Sequence, residues 1–243
     1  MNKLISILLS GAALAGAISL TSCDDNNERI VGVYANAIVT VKTAEDHPCI
    51  LQLDDEVRLI PVNISKHPYG GKQVRALTSF DYVDENQPLD GTTEREVKVF
   101  WLDSILTKEA VVLSKMENPD KLGNDPVEIV NDWVTVAEDG YLTLRFRTVW
   151  GNGTKHSVNL IASEEEPDVF ELRHNAFGDT YGYEADGLVA FHIAPYTGQD
   201  SESITLKWKS FTGEKSVKFK LHTAPADNKN IGSVDRASLR RVM

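Results

Sequence analysis

Residues 140–161 read GYLTLRFRTVWGNGTKHSVNLI, and this stretch decides the fold. Leu142, Leu144, Phe146 and Trp150 share one parity, with Thr143, Arg145 and Arg147 on the other. That is the period of two of a half-buried strand. Gly151-Asn152-Gly153 breaks the pattern, and 154–162 resumes it. A three-residue loop ending in glycine is a common hairpin connection. So 141–150 and 154–162 are expected to pair as a hairpin, with Phe146 opposite Val158 and Leu144 opposite Leu160. A second hairpin is expected over 202–211 and 214–222, turning at Thr212-Gly213. Its register sets Trp208 against Val217, Leu206 against Phe219 and Ile204 against Leu221, and would place Lys207 opposite Lys218. In both pairs the turn and the apolar face agree. Strands near 133–138, 169–175 and 187–194 bring the count to about seven. The expectation for 115–225 is an immunoglobulin-like antiparallel β-sandwich.

Upstream, Val33, Ala35, Ala37, Val39 and Val41 alternate in the same way. Further strands are expected over 48–53, 56–63, 72–83 and 95–103. Turn residues separate them: Asp54-Asp55, Pro68-Tyr69-Gly70-Gly71 and 87–91. About five strands in this span suit a small OB-like barrel over 33–114. The chain therefore reads as all-β. The less regular 115–132, with Asn118-Pro119-Asp120 and Asn124-Asp125-Pro126, marks the expected boundary. Asp125 there is expected to cap a short helix that has Pro126 at its first position. Residues 226–243 lack a strand pattern and are expected to be a frayed tail or a short helix.

Residues 1–22 read as a secretory signal. Lys3 is their only charge, and an uncharged run rich in Leu, Ile, Ala and Gly follows. The run ends in Leu20-Thr21-Ser22-Cys23, which resembles the lipobox of bacterial lipoproteins. That resemblance implies acylation of Cys23 and a membrane anchor without a spanning helix. Residues 23–32 then form an acidic tether. Asp24-Asp25-Asn26-Asn27-Glu28 within it resembles the surface-export signal of Bacteroidales lipoproteins. The expected location is the outer membrane, lipid-anchored, at the cell surface or on the periplasmic face.

Composition excludes several classes. The chain has 243 residues and is 42% hydrophobic, which is too apolar for a disordered chain. Its two cysteines exclude a disulfide-stapled scaffold and a multi-thiolate metal site. A net charge of -11, becoming -12 when Lys3 is lost with the signal, argues against a nucleic-acid binder. Cys49 lies in the apolar run Pro48-Cys49-Ile50-Leu51 and is expected to be buried and inert.

Three segments resemble the NigD-like lipoproteins of Bacteroidales: 51–62 (LQLDDEVRLIPV), 140–161, quoted above, and 171–179 (ELRHNAFGD). The resemblance implies an N-terminal OB-like domain and a C-terminal β-sandwich. It carries no catalytic motif. The family's name comes from association with a bacteriocin locus.

Little in the sequence points to chemistry. The six histidines form no HxH or HExxH, and a zinc site built from His156, His174 and His192 is disfavoured against a satisfied core His174. There is no Gly-x-Ser-x-Gly elbow and no Walker loop. No catalytic residue, metal or cofactor is expected. Trp150 and Trp208 share the parity of core positions and are expected inside. Tyr181 and Tyr183, in the glycine-flanked 178–183, are candidate aromatic contacts. Arg145, Arg147, Lys207, Lys209, Lys218 and Lys220 fall on outward hairpin positions and form a candidate anion-binding face. Asp103-Ser104-Ile105 resembles the short O-glycosylation motif of Bacteroidales exported proteins, which makes Ser104 a candidate acceptor. The function expected from all this is a non-catalytic envelope lipoprotein that binds an envelope protein or an anionic glycan. A bacteriocin-associated, immunity-like role and a glycan-acting hydrolase are the alternatives.

Overall fold

The computed structural model describes residues 34–84, 93–221 and 239–243. Cys23, the signal and the tether lie outside the described residues, as do 222–238 of the C-terminal segment.

The N-terminal half is a closed barrel of five strands. They are β1 (Ala37–Lys42), β2 (Ile50–Gln52), β3 (Arg58–Pro61), β4 (Val74–Tyr82) and β5 (Glu94–Ser104). The order around the barrel is β1-β2-β3-β5-β4, with β4 returning to β1. Inward positions carry Val39, Val41, Leu51, Leu59, Phe80 and Val97, all buried. Asp54 shapes the β2–β3 turn by accepting the N–H groups of Glu56 and Val57, both at 2.8 Å. Cys49 sits in this core as expected, and burial pushes its thiol pKa up.

The C-terminal half is a sandwich. Its strands are β6 (Leu106–Glu109), β7 (Glu128–Ile129), β8 (Val136–Glu138), β9 (Tyr141–Trp150), β10 (Ser157–Ala162), β11 (Val169–Asn175), β12 (Tyr183–His192), β13 (Ser203–Ser210) and β14 (Gly213–Lys220). One sheet runs β6-β12-β9-β7, with β8 also on β9; the other runs β10-β11-β13-β14. Phe146, Leu160, Phe170, Leu172, Phe191 and Leu206 fill the space between them, each buried.

Five expectations are corrected. First, β9 and β10 do not form a hairpin. β9 pairs along its length with β12, and β10 pairs with β11, so the Gly151–Gly153 loop crosses between sheets. Alternation fixes which side chains face the core but not which strand lies alongside. Phe146 and Val158 duly share the core from opposite sheets. Second, the β13–β14 hairpin exists, but its register is Leu206 on Val217 and Ile204 on Phe219. The turn is Phe211-Thr212, closed by Ser210 opposite Gly213, with the Ser210 hydroxyl accepting the Thr212 N–H at 3.1 Å. The shift of two residues keeps every side chain on its expected face. It sets Lys207 against Ser216 and so removes the expected clash with Lys218. Third, the sandwich is mixed rather than antiparallel, because β11–β13 and β12–β6 are parallel. Fourth, the crossing between domains comes at Ile105, ahead of the expected 115–132. β6 already belongs to the sandwich, while 115–132 supplies 3₁₀ turns and β7. Asp125 caps no helix; its carboxylate accepts the Ala176 N–H at 2.8 Å. Fifth, 239–243 is docked rather than frayed. Arg240 donates to Asp186 O at 2.7 Å, Met243 donates to His156 O at 3.0 Å, and Val242 packs on the sandwich core.

The two domains share a third buried cluster. Ile38, Leu77 and Ile105 meet Val134, Leu188 and Ala190 there, with Trp101 and Trp133 packed against it. Arg75 crosses the same junction and is fully buried. It donates to Thr40 in the barrel at 3.0 Å, and to Thr143 at 3.3 Å and Glu138 in the sandwich.

Candidate functional site

One end of the sandwich gathers the β9–β10 loop, the β11–β12 loop and the β13–β14 turn. Trp150 ends β9 with its indole N–H bonded to Ala185 O at 2.9 Å. His156 stacks flat on it, ring centroids 3.9 Å apart. His156 Nδ1 lies 3.0 Å from His174 Nε2, and His156 Nε2 lies 3.4 Å from Asp179 Oδ2. A carboxylate only accepts, so His156 Nε2 carries the proton toward Asp179. His156 Nδ1 then accepts from His174 Nε2–H. His174 Nδ1 is left buried with no partner among the described residues.

This tautomer chain is neutral at physiological pH. Burial, with His156 adding to it, pushes the His174 pKa down to about 4. Burial also lowers His156, against the pull of Asp179. The N–H of Asn152, bonded to Oδ1 at 2.9 Å, leads in holding Asp179 below the usual carboxylate range. Both nitrogens of His156 are thereby engaged and His174 is sealed in. The cluster binds two loops together; it does not present a base to solvent. His174 is a core histidine, as expected. His192, the third member of the disfavoured zinc set, lies elsewhere, 2.9 Å from Glu109. The role of Asp179 was not read from the sequence, where its only signal is a carboxylate inside a glycine-flanked loop.

Two glycines allow the loops to touch. A Cβ on Gly151 would fall 1.8 Å from Tyr181 O, and one on Gly182 would fall 2.0 Å from Trp150 O. Gly151→Ala is therefore expected to cost more than about 2 kcal/mol, because backbone rather than a mobile side chain must yield. Chemical denaturation followed by tryptophan fluorescence would measure it, and a loss under about 0.5 kcal/mol would contradict the packing.

The clamped loops present aromatic side chains to solvent. Tyr181 is 87% exposed and Tyr183 73%, while Phe177, and Phe211 in the adjacent β13–β14 turn, are each 50% exposed. A cleft of about 410 Å³ opens beside the tyrosines, lined by Gly151, Asn152 and Asp179.

The six basic residues do not share a face. Arg145 and Arg147 lie on β9, whereas Lys207, Lys209, Lys218 and Lys220 lie on β13 and β14 of the other sheet. The reason is the missing β9–β10 hairpin: pairing with β10 would keep β9 in the sheet of β13 and β14, whereas its pairing with β12 puts it in the other. Arg145 binds Asp132 and Asp186, each at 2.6 Å, and Arg147 binds Asp186 at 2.6 Å. Burial opposes the Asp186 charge, but the Arg147 and Arg145 guanidiniums hold its pKa below the ordinary value. Lys207 is paired with Glu166 at 2.8 Å, and Lys209 lies opposite Glu214. What remains of the expected anion-binding face is Lys218 and Lys220 on the outermost strand. Ser104 ends β5 in an exposed position beside buried Ile105.

The chain matches the NigD-like N-terminal OB domain over residues 38–105 and the NigD-like C-terminal beta sandwich domain over 110–221. It is similar to the crystal structure of a protein described as toxin related from Parabacteroides distasonis. That match has 29% identity and TM-score 0.59, and covers 79% of this chain and 93% of the other. It also matches a protein of unknown function from Bacteroides vulgatus, at 21% identity and TM-score 0.60, covering 84% and 98%. A NigD-like immunity protein from Bacteroides caccae matches at 18% identity and TM-score 0.53, covering 75% and 89%. The last two likenesses bear on fold alone. No curated protein matches.

Proposed function

The chain belongs to the NigD-like family, an OB domain joined to a β-sandwich, and on that premise we propose a non-catalytic, lipid-anchored binding module of the outer membrane that makes contact through the aromatic loop end of its sandwich. The observation that carries the reading is the exposure of Tyr181 in the β11–β12 loop and of Tyr183 at the start of β12, above loops tied together by Asp179. Tyrosine offers a large amphipathic contact with few rotors, and a clamped loop loses little entropy on binding. The lipobox ending at Cys23 supports the anchor. Against hydrolysis, Asp179 is the lone carboxylate lining the loop-end cleft among the described residues, and it is occupied by Asn152 and His156.

Tyr181→Ala with Tyr183→Ala is expected to weaken binding of the full chain to isolated envelope fractions at least about tenfold. Its melting temperature should stay unchanged, because neither ring packs in the core. Unchanged binding with an unchanged fold would reject this surface. A bacteriocin-associated, immunity-like role is the second reading, favoured by the toxin-related description of the 29% identical protein. Toxin sensitivity gained by a deletion strain would support it over the first.

A further inference from the structure

Among the described residues, β14 is the last strand of its sheet. Leu221 N–H donates to Glu202 O at 2.9 Å, and the register continues from Lys220 opposite Ser203. In an antiparallel pair, hydrogen-bonded and non-hydrogen-bonded positions alternate. Gly213, Lys215, Val217 and Phe219 therefore bond to β13. The N–H and C=O groups of Glu214, Ser216, Lys218 and Lys220 point away from it. Every residue of β14 is exposed except the half-buried Phe219. Val217 and Phe219 occupy its inner face, opposite Leu206 and Ile204. Lys218 and Lys220 make no ion pair among the described residues. This edge is independent of the aromatic loops.

Lysines on an edge strand ordinarily discourage pairing with another chain. Here they select one partner. We propose that β14 is a self-association edge, through which a second copy of this chain adds its own β14 antiparallel about a two-fold axis at Val217. In that register Val217 meets Val217 of the second copy on the inner face. On the outer face Glu214 meets Lys220 and Ser216 meets Lys218, each pairing occurring twice. All outward backbone groups of both strands are satisfied, and opposite charges sit across from each other. Sliding by two residues one way sets Lys218 against Lys218. Sliding the other way keeps a charge match, Glu214 against Lys218, but leaves Lys220 opposite Thr212 and the exposed Val217 opposite Lys215. Only the register centred on Val217 both matches the charges and sets the exposed valine against an apolar partner.

Strand addition buries little area, so the contact is weak and best read by trapping it. Val217→Cys in the full chain, in intact cells under mild oxidation, is expected to give a disulfide-linked dimer on a non-reducing gel. Directly opposed residues of a non-hydrogen-bonded pair lie within disulfide range. Val217 is exposed and Cys49 buried, and in intact cells Cys23 is the proposed acylation site, so the new thiol neither disturbs the core nor meets an internal partner. Lys215→Cys faces Phe219 rather than itself and should cross-link about tenfold more slowly. Adding Lys220→Glu to Val217→Cys opposes two glutamates and should slow the dimer about tenfold; adding Glu214→Lys as well should restore it. No dimer from Val217→Cys, equal rates from positions 215 and 217, or no response to the charge exchange would each overturn the proposal.

Discussion

Arg75→Met is expected to destabilise the protein by about 3–5 kcal/mol, the usual loss when one member of a buried pair is removed. Arg75 is fully buried at the junction of the two domains, and its guanidinium is shared among Thr40, Thr143 and Glu138. Glu138 is largely buried beside it; burial raises its pKa and Arg75 counters that rise. Methionine fills much of the arginine's volume but leaves the Glu138 carboxylate without its cation. For a chain of this size the loss corresponds to a melting temperature lower by about 10 °C. The double variant Arg75→Met, Glu138→Leu removes both charges and should regain most of the stability, because the cost comes from the stranded carboxylate. Urea denaturation of the two variants against the parent measures both effects. A single variant within about 1 kcal/mol of the parent would show that the junction rests on its apolar cluster, around Ile105 and Val134, instead.

Acidification should weaken the loop clamp. His174 has a pKa near 4 in the folded protein, pushed down by burial and by His156, against about 6.5 in an unfolded chain. A folded pKa below the unfolded one means that protons bind preferentially to the unfolded state. The contribution is fully present above about pH 6.5 and is lost as the pH falls toward 4. The shift is worth about 3 kcal/mol at its limit. Denaturation midpoints at pH 7, 5.5 and 4.5 should fall progressively in the parent protein. His174→Gln keeps a polar side chain but does not titrate, so its midpoint should fall clearly less over the same range. Equal pH profiles for the two proteins would remove His174 as the source.

The fold was legible where a side-chain pattern is local. The barrel strands and the existence of the β13–β14 hairpin follow from alternation and turn residues, both of which act within a few positions, while the register of that hairpin lies two residues from the expected one. Where two apolar strands are separated by a plausible turn, as at 151–153, the same pattern serves a hairpin and a crossing equally well. The structure chooses the crossing: ten residue pairs join β9 to β12, and Trp150 and His156 stack at the turn. The basic face divides for that reason: without the β9–β10 hairpin, Arg145 and Arg147 lie in a different sheet from the four lysines.

Of the candidate site, Tyr181 and Tyr183 were visible as aromatics among glycines, which favour exposed loops. Their support was not visible. His156, His174 and Asp179 come from three separate segments, and nothing in their spacing announces that the rings will stack and bond.

By itself, the sequence determined an all-β chain of two domains and the inward and outward side of its long, clearly alternating strands. These depend on the period of two and on short motifs, which need no distant partner. Only the tertiary structure decided which strands are neighbours, where the domains meet around Arg75, and that a neutral histidine pair pins the aromatic loops. Those depend on contacts between residues far apart in the chain, where burial, rather than local pattern, sets both geometry and charge.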